Sequence, residues 1–321
     1  MPDGTPWPKI SIVTPSFNQG LFIEETIRSV LLQGYPDLEY FIIDGGSSDD
    51  TLDIIRKYES WITYWESAPD RGQSHAINKG FKRATGDILA WINSDDLYLS
   101  RSFETVVSNF NRDPTVMFLY GDLITIDEKG GVLDRISSQS ALDFGELFGR
   151  LRCPQPACFW KKSVLDGIGF LNEDMHYVFD LEFFIRVALS YHIMHISVPL
   201  AKLRTHPKTK TSTKAIDFDL ESLEMYTAFF RSSNLPVKIL RKEREIMSFY
   251  LQRVGLHYRK RGNFKKARKL FLRALLKDIT RYQNILFLAD IVDTFINLDL
   301  TRRILAIRDF VRGRYRFMGH E

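Results

Sequence analysis

Over residues 1–200, short apolar runs alternate with stretches in which apolar residues return every third or fourth position. The runs Ile10 to Thr14, Leu38 to Ile43, Ile62 to Trp65, Ile88 to Ile92 and Val116 to Tyr120 predict strands. Between them, Ile23, Ile27, Val30 and Leu31, and later Ile77, Phe81 and Ala84, fall on one face of a helical period and predict amphipathic helices. Such alternation points to an α/β fold, with βα units around a mixed, mainly parallel sheet. Past Asp122 it loosens, and Pro154, Pro156, Gly167 and Gly169 mark irregular connections. A helix is predicted from Phe179 to about Ser190, its first turn carrying the acids that a helix N-terminus favours, followed by a strand from His192 to Val198. From about Ile216 the pattern is helical throughout, which divides the chain into residues 1–215 and an all-helical extension, 216–321.

Four of the predicted strands run into polar, small-residue turns: Thr14 to Gly20, Asp44 to Thr51, Pro69 to Gln73, and Asn93-Ser94-Asp95-Asp96. One such turn is ordinary loop chemistry, and a lone Asp-Asp pair also suits a turn or a helix cap. Four at one edge of an α/β sheet form a crevice, because ligands in such sheets bind outside the carboxyl ends of the strands. Two adjacent carboxylates there are an oxygen site for a divalent cation carrying phosphates.

With 321 residues, 44% hydrophobic and 13% aromatic, the chain can bury a sizeable core, which argues against a disordered chain. Its two cysteines, Cys153 and Cys158, lack the second pair or the His-x-x-x-His of a zinc module, so two reduced structural thiols are expected. The start, Met1-Pro2-Asp3-Gly4, lacks the basic and apolar stretches of a secretory signal. Ile285 to Ile296 is interrupted by Asp290 and Asp293 and falls short of the roughly 20 apolar residues that span a bilayer. Cytoplasmic chemistry without a transmembrane helix is the expectation. The net charge of +4 hides a split: residues 1–200 hold 17 Lys and Arg against 28 Asp and Glu, a net of −11, and residues 201–321 hold 27 against 12, a net of +15. The basic part suits either a polyanionic partner or simply solvated helical faces. No Gly-x-Gly-x-x-Gly follows the first strand and no Gly-x-x-x-x-Gly-Lys-Ser/Thr loop occurs, which argues against a dinucleotide enzyme or a phosphate-loop NTPase.

Taken in order, SIVTPSFNQG, FIIDGGSSDDT, PDRGQSHAINKGF, ATGDILAWINSDD, QPACFW and FDLEFFIR resemble the motifs of family 2 glycosyltransferases, and the resemblance runs from about Lys9 to Thr213. It implies a GT-A fold and inverting transfer of a hexose from a nucleotide-diphosphate sugar, with UDP the expected nucleotide. The acceptor it implies is a hydroxyl of a glycan or lipid-linked molecule in cell-surface polysaccharide synthesis. By position, Pro15 and Phe17 would line the nucleotide, Asp44 would accept from the base N–H, and Asp70 and Arg71 would belong to the next nucleotide-side turn. Asp95 would face the ribose, while Asp96 and His206, the latter from a late basic loop, would hold Mn²⁺ or Mg²⁺. Asn93 departs from the family, standing where many members carry a third acid. Phe179-Asp180 occupies the place of a Glu-Asp pair, so the catalytic base would be Asp180, with a helix cap as its structural alternative. Arg204, Lys208 and Lys210 would meet the leaving diphosphate, and Gln155, Trp160, His176 and Tyr177 fall at acceptor-side positions.

Two rival readings stand beside this one. A sugar-nucleotide pyrophosphorylase would need a glycine-rich, Arg-containing loop where this chain has Pro15-Ser16-Phe17-Asn18. A non-catalytic scaffold on a transferase fold would have no use for Asp44, Asp95, Asp96 and Asp180 together. In the extension, Leu251, Gly255, Tyr258, Gly262, Phe264, Ala267, Phe271 and Ala274 have the spacing of one tetratricopeptide-like hairpin. Arg302 to Phe317 interleaves cations with large apolar residues, a pattern suited to peripheral attachment at an anionic membrane surface, the inner face of the plasma membrane, rather than to nucleic acid.

Overall fold

The computed structural model describes residues 4, 6–137, 153–207, 209–232, 235–278 and 285–296. The interfacial helix expected over Arg302 to Phe317 lies outside them, as does Lys208. The chain divides into two compact units, Met1–Thr213 and Lys214–Glu321.

In the first unit, strands β1 (Ile10–Ser16), β2 (Leu38–Asp44), β3 (Tyr64–Ser67) and β4 (Ile88–Trp91) alternate with helices α1 (Ile23–Leu31), α2 (Thr51–Lys57) and α3 (Gln73–Arg83). The four strands are parallel, with Ser16, Asp44 and Ser67 level with one another, so their carboxyl ends share one edge. Then follow β5 (Leu97–Tyr98), α4 (Ser102–Arg112), β6 (Phe118–Ile126), β7 (Val132–Ile136), β8 (Cys158–Lys161), α5 (Ser163–Ile168), α6 (Phe179–Ser190) and β9 (Ile193–Arg204). The sheet order is β3-β2-β1-β4-β8-β6-β9-β5, with β7 on β6. Strand β8 enters antiparallel between β4 and β6, β5 and β7 are antiparallel to β9 and β6, and β9 is parallel to β6. The sheet is mixed, and its parallel half is the one that the βα alternation predicts. Chain order turns back between β1 and β4, which makes their ends the topological switch point.

β1 is buried at every position, which accounts for its unbroken apolar run. Ile10 and Ile12 pack with Ile23, Ile27 and Val30 of α1. Val13 meets α3, where a Cβ on Gly80 would lie 2.5 Å from Val13 Cγ1. Gly80→Ala is therefore expected to destabilise the fold by about 1–3 kcal/mol through overpacking, measured as a lowered urea midpoint. An aromatic cluster fills the space behind β4 and β8: Trp160 stacks on Phe118 at 5.9 Å and meets Trp91 at 5.4 Å and Phe183 at 5.3 Å. Trp160, expected on the acceptor side, is fully buried there.

The second unit is built from α7 (Ala215–Phe229), α8 (Glu243–Lys260), α9 (Phe264–Lys277) and α10 (Ile285–Ile296). α8 and α9 form a hairpin through Gly262 at φ +74°, with the Asn263 side chain capping α9 by accepting from the Lys266 N–H. Gly255 of α8 faces Phe271 of α9 so closely that a Cβ would come within 2.5 Å of the ring. Asp290 and Asp293, the interruptions in the last apolar run, are buried and ion-paired with Arg259 at 3.1 and 2.7 Å. Asp219, also buried, holds Arg253 and His257. Part of the basic surplus is thus neutralised inside the unit. Among the described residues, no helix is long and apolar enough to cross a membrane.

Candidate active site

The acid turn follows β4 at the switch point, and its two carboxylates go different ways. Asp96 turns inward, 1% exposed. Its Oδ1 accepts from the Arg204 backbone N–H at 3.0 Å and its Oδ2 from Asn93 Nδ2 at 3.2 Å. Burial, and then the charge of Asp95, push the Asp96 carboxyl well above the usual carboxylate range. Asp95 faces the other side, its Oδ2 3.3 Å from His206 Nε2. The sequence pairs His206 with Asp96, whereas the fold pairs it with Asp95 and makes Asp96 an internal brace. The reason is local: Asp96 leads directly into β5, so its carboxylate is drawn under the β9 backbone.

His206 packs its ring 4.8 Å from that of Phe22. Arg204, expected to meet a diphosphate, is instead 2% exposed. Its guanidinium donates to the carbonyls of Asp95 and Glu128, pairs with Glu25 at 2.7 Å and lies over the Phe22 ring. It fastens the acid turn to α1 and to the β6–β7 turn. Among the described residues, no three His, Cys, Asp or Glu side chains cluster closely enough to hold a metal ion by themselves. Asp95 and His206 offer one oxygen and one nitrogen, which fits a Mg²⁺ or Mn²⁺ ion that takes its other ligands from phosphates and water.

On the neighbouring strands, the β1–α1 and β2–α2 loops are laced together. The Asn18 N–H donates to Ser47 Oγ at 2.7 Å, Ser48 N–H to Asn18 Oδ1 at 2.9 Å, and Gly20 N–H to Asp49 Oδ2 at 2.9 Å. This leaves the Phe17 ring 60% exposed at the crevice. Pro15, by contrast, is buried in β1 opposite Ile43, below the surface that Phe17 presents. Asp44 is 0% exposed. Its carboxylate accepts from the N–H groups of Gly46 and Ser47 and from the hydroxyls of Ser47 and Ser67. Expected to accept from a base, Asp44 is turned into its own loop and shapes it. The acid beside Phe17 is Asp70: a Cβ on Gly45 would lie 3.1 Å from Asp70 Oδ2 and 3.4 Å from Phe17 Cδ2, so the bare glycine keeps the gap between them open. Arg71 is exposed and ion-paired with Glu173.

Asp180 stands in the first turn of α6, its Oδ1 accepting from the Leu181 N–H at 2.8 Å. The preceding Phe179 lies 6.3 Å from Trp91, the last residue of β4. Burial, then Cys153 and the charge of Asp180, push the Cys158 thiol up. Gln155, just before β8, donates to the Trp91 carbonyl at 2.8 Å and accepts from Asn93 at 3.1 Å. Asp180 and the acid turn therefore flank the same strand ends. The loop leading to α6 is held by α3: buried Asn78 donates to the Leu171 carbonyl at 2.9 Å and to Glu173 Oε1 at 3.0 Å, and accepts from the Leu171 N–H at 3.1 Å. Sequence reasoning passed over Asn78. Its signal was a polar residue on the inward face of a helix that also carries Ile77 and Phe81.

Residues 11–157 match the family described as Glycosyl transferase family 2. An uncharacterized glycosyltransferase of Mycobacterium tuberculosis is 32% identical over 186 residues, covering 57% of this chain and 70% of the relative. Among solved structures, S. aureus TarS in complex with UDP-GlcNAc superposes with a TM-score of 0.64 at 16% identity, over 92% of this chain and 91% of that one. The mannosyltransferase PcManGT of Pyrobaculum calidifontis, in complex with GDP-Man and Mn²⁺, gives 0.58 at 17% identity, over 92% and 89%. At such identities the likeness speaks for the fold.

Proposed function

Because the chain belongs to glycosyl transferase family 2 and has the GT-A fold, we propose that it moves a hexose from a nucleoside-diphosphate donor, with UDP the expected nucleotide, to a hydroxyl with inversion at the anomeric carbon. The observation that carries the reading is that Phe179, next to Asp180 in the first turn of α6, packs on Trp91, where β4 leads into the turn whose Asp95 meets His206. Phe17 offers a face on which a base stacks, and Asp70 an acceptor for a base N–H. Asp95 and His206 hold Mn²⁺ or Mg²⁺, which when bound stabilises the negative charge that develops on the leaving diphosphate. Asp180 takes the proton of the acceptor hydroxyl as that oxygen attacks the sugar, in a single displacement. The acceptor in this reading is a glycan or lipid-linked hydroxyl of cell-surface polysaccharide synthesis. The work is cytoplasmic, with the basic extension at an anionic membrane face.

The direct test is a panel of nucleotide sugars scored for thermal stabilisation and for metal-dependent hydrolysis. Stabilisation by UDP with Mn²⁺ supports the reading, and silence across the panel favours a non-catalytic scaffold. Phe17→Ala is expected to weaken nucleotide binding by about 1–3 kcal/mol, the scale of one base–aromatic stack. Its melting temperature should not move, because the ring is exposed.

A further inference from the structure

A chain of side-chain amides crosses the site, and its polarity reads in one direction only. The Trp91 carbonyl can only accept, so Gln155 must turn Nε2 toward it, at 2.8 Å, and leave Oε1 for Asn93 Nδ2, at 3.1 Å. Asn93 Nδ2 also donates to Asp96 Oδ2 at 3.2 Å, so Asn93 Oδ1 must accept, which it does from Gln73 Nε2 at 2.7 Å. Gln73 Oε1 is then left to accept from the Lys210 ammonium, at 3.0 Å. An amide's two ends are alike in outline, but a carbonyl at one end of the chain and an ammonium at the other determine every orientation between them.

We propose that this relay sets Lys210 over the acid turn to meet the donor's diphosphate, with Gln73 and Asn93 as its positioning residues. The proposal rests on the nucleoside-diphosphate reading above. It accounts for the chain's departure from the family at position 93. An aspartate there would turn lone pairs toward Gln155 Oε1 and Asp96 Oδ2, both acceptors, whereas an asparagine donates to both and still accepts from Gln73. Arg204 is committed to Glu25 and to backbone carbonyls, and Arg71 to Glu173. Lys210 is tied to the acid turn through the Gln73 amide. A lysine on a flexible four-carbon stem needs such an anchor to present its charge at one place.

The test is calorimetric titration of the full-length protein, without metal, with UDP, GDP and the matching nucleosides uridine and guanosine. Gln73→Leu, Asn93→Ala and Lys210→Met are each expected to weaken nucleoside-diphosphate binding about tenfold, the scale of one hydrogen bond to a charged group. Nucleoside affinity should stay unchanged. The Gln73→Leu/Lys210→Met double variant should bind no more weakly than Lys210→Met alone, because both cut one chain. Additive losses, or a Gln73→Leu variant with wild-type diphosphate affinity, would overturn the relay alone. An equal fall in nucleoside affinity would do the same, by showing general damage to the site. If the wild type bound neither UDP nor GDP even with Mn²⁺ added, the donor reading itself would fall and the relay with it.

Discussion

Asp180→Asn should lower sugar transfer by about 10²–10⁴-fold, the contribution of a positioned general base, while leaving donor affinity and folding stability close to wild type. The substitution is nearly isosteric. An asparagine Oδ1 can still accept from the Leu181 N–H that Asp180 accepts from now. Asp180 is the second residue of α6, past the N-cap at Val178, so the substitution also weakens its interaction with the helix dipole, by about 0.3–1 kcal/mol. What disappears is the carboxylate that takes the proton. Initial rates at saturating donor, set beside a UDP titration and a urea midpoint, separate the two roles. A variant that folds, binds UDP and transfers at a near-native rate would remove Asp180 from the chemistry and leave it an acid of the first helical turn, the helix cap expected from the sequence being Val178 instead.

The neighbouring acids should divide sharply. Asp95→Ala is expected to abolish the response of turnover to Mn²⁺, with a rate loss of about 10²–10³-fold, the scale of losing one electrostatic stabiliser of developing charge. Its fold should persist. Asp96→Ala should instead leave the buried Arg204 N–H and one Asn93 donor without an acceptor, at a cost of about 1–3 kcal/mol in stability for each unsatisfied group. Metal titration of the rate together with denaturant unfolding reads both effects. If Asp96→Ala lost the metal response at unchanged stability and Asp95→Ala kept it, the division of roles implied by the family pattern would stand over the one the geometry favours.

The βα half of the sheet was legible because a strand covered on both faces writes itself as a continuous apolar run, and β1, β2 and β4 do so. The polar turns after them announced the crevice for the same reason: where the runs stop, the backbone leaves the core. The antiparallel half was harder to read. β6 and β9 continue well past their apolar segments, to Ile126 and Arg204, because they pair with each other along sides that carry residues such as Asp122, His195 and Lys202. Position in a motif also does not say which way a side chain turns. Asp44, Asp96 and Arg204 stand where the family motifs place ligand contacts, yet each is buried and satisfied by the protein's own groups. In the helical unit, Asp290 and Asp293 looked like breaks in an apolar segment, and Arg259, some thirty positions away, makes them part of its interior.

The sequence by itself determined the α/β class, the family, the order of the turns that meet at the sheet edge and the residue types those turns bring. Only the tertiary structure decided that Asp95 rather than Asp96 meets His206, that Asp70 rather than Asp44 lies beside Phe17, and that three amides link Trp91 to Lys210. The physical reason is that periodicity records how each segment meets water and core, a property of the segment alone. The partner of a carboxylate or an amide is a relation between segments, here across as many as 179 positions, and it exists only once the sheet has brought their ends together.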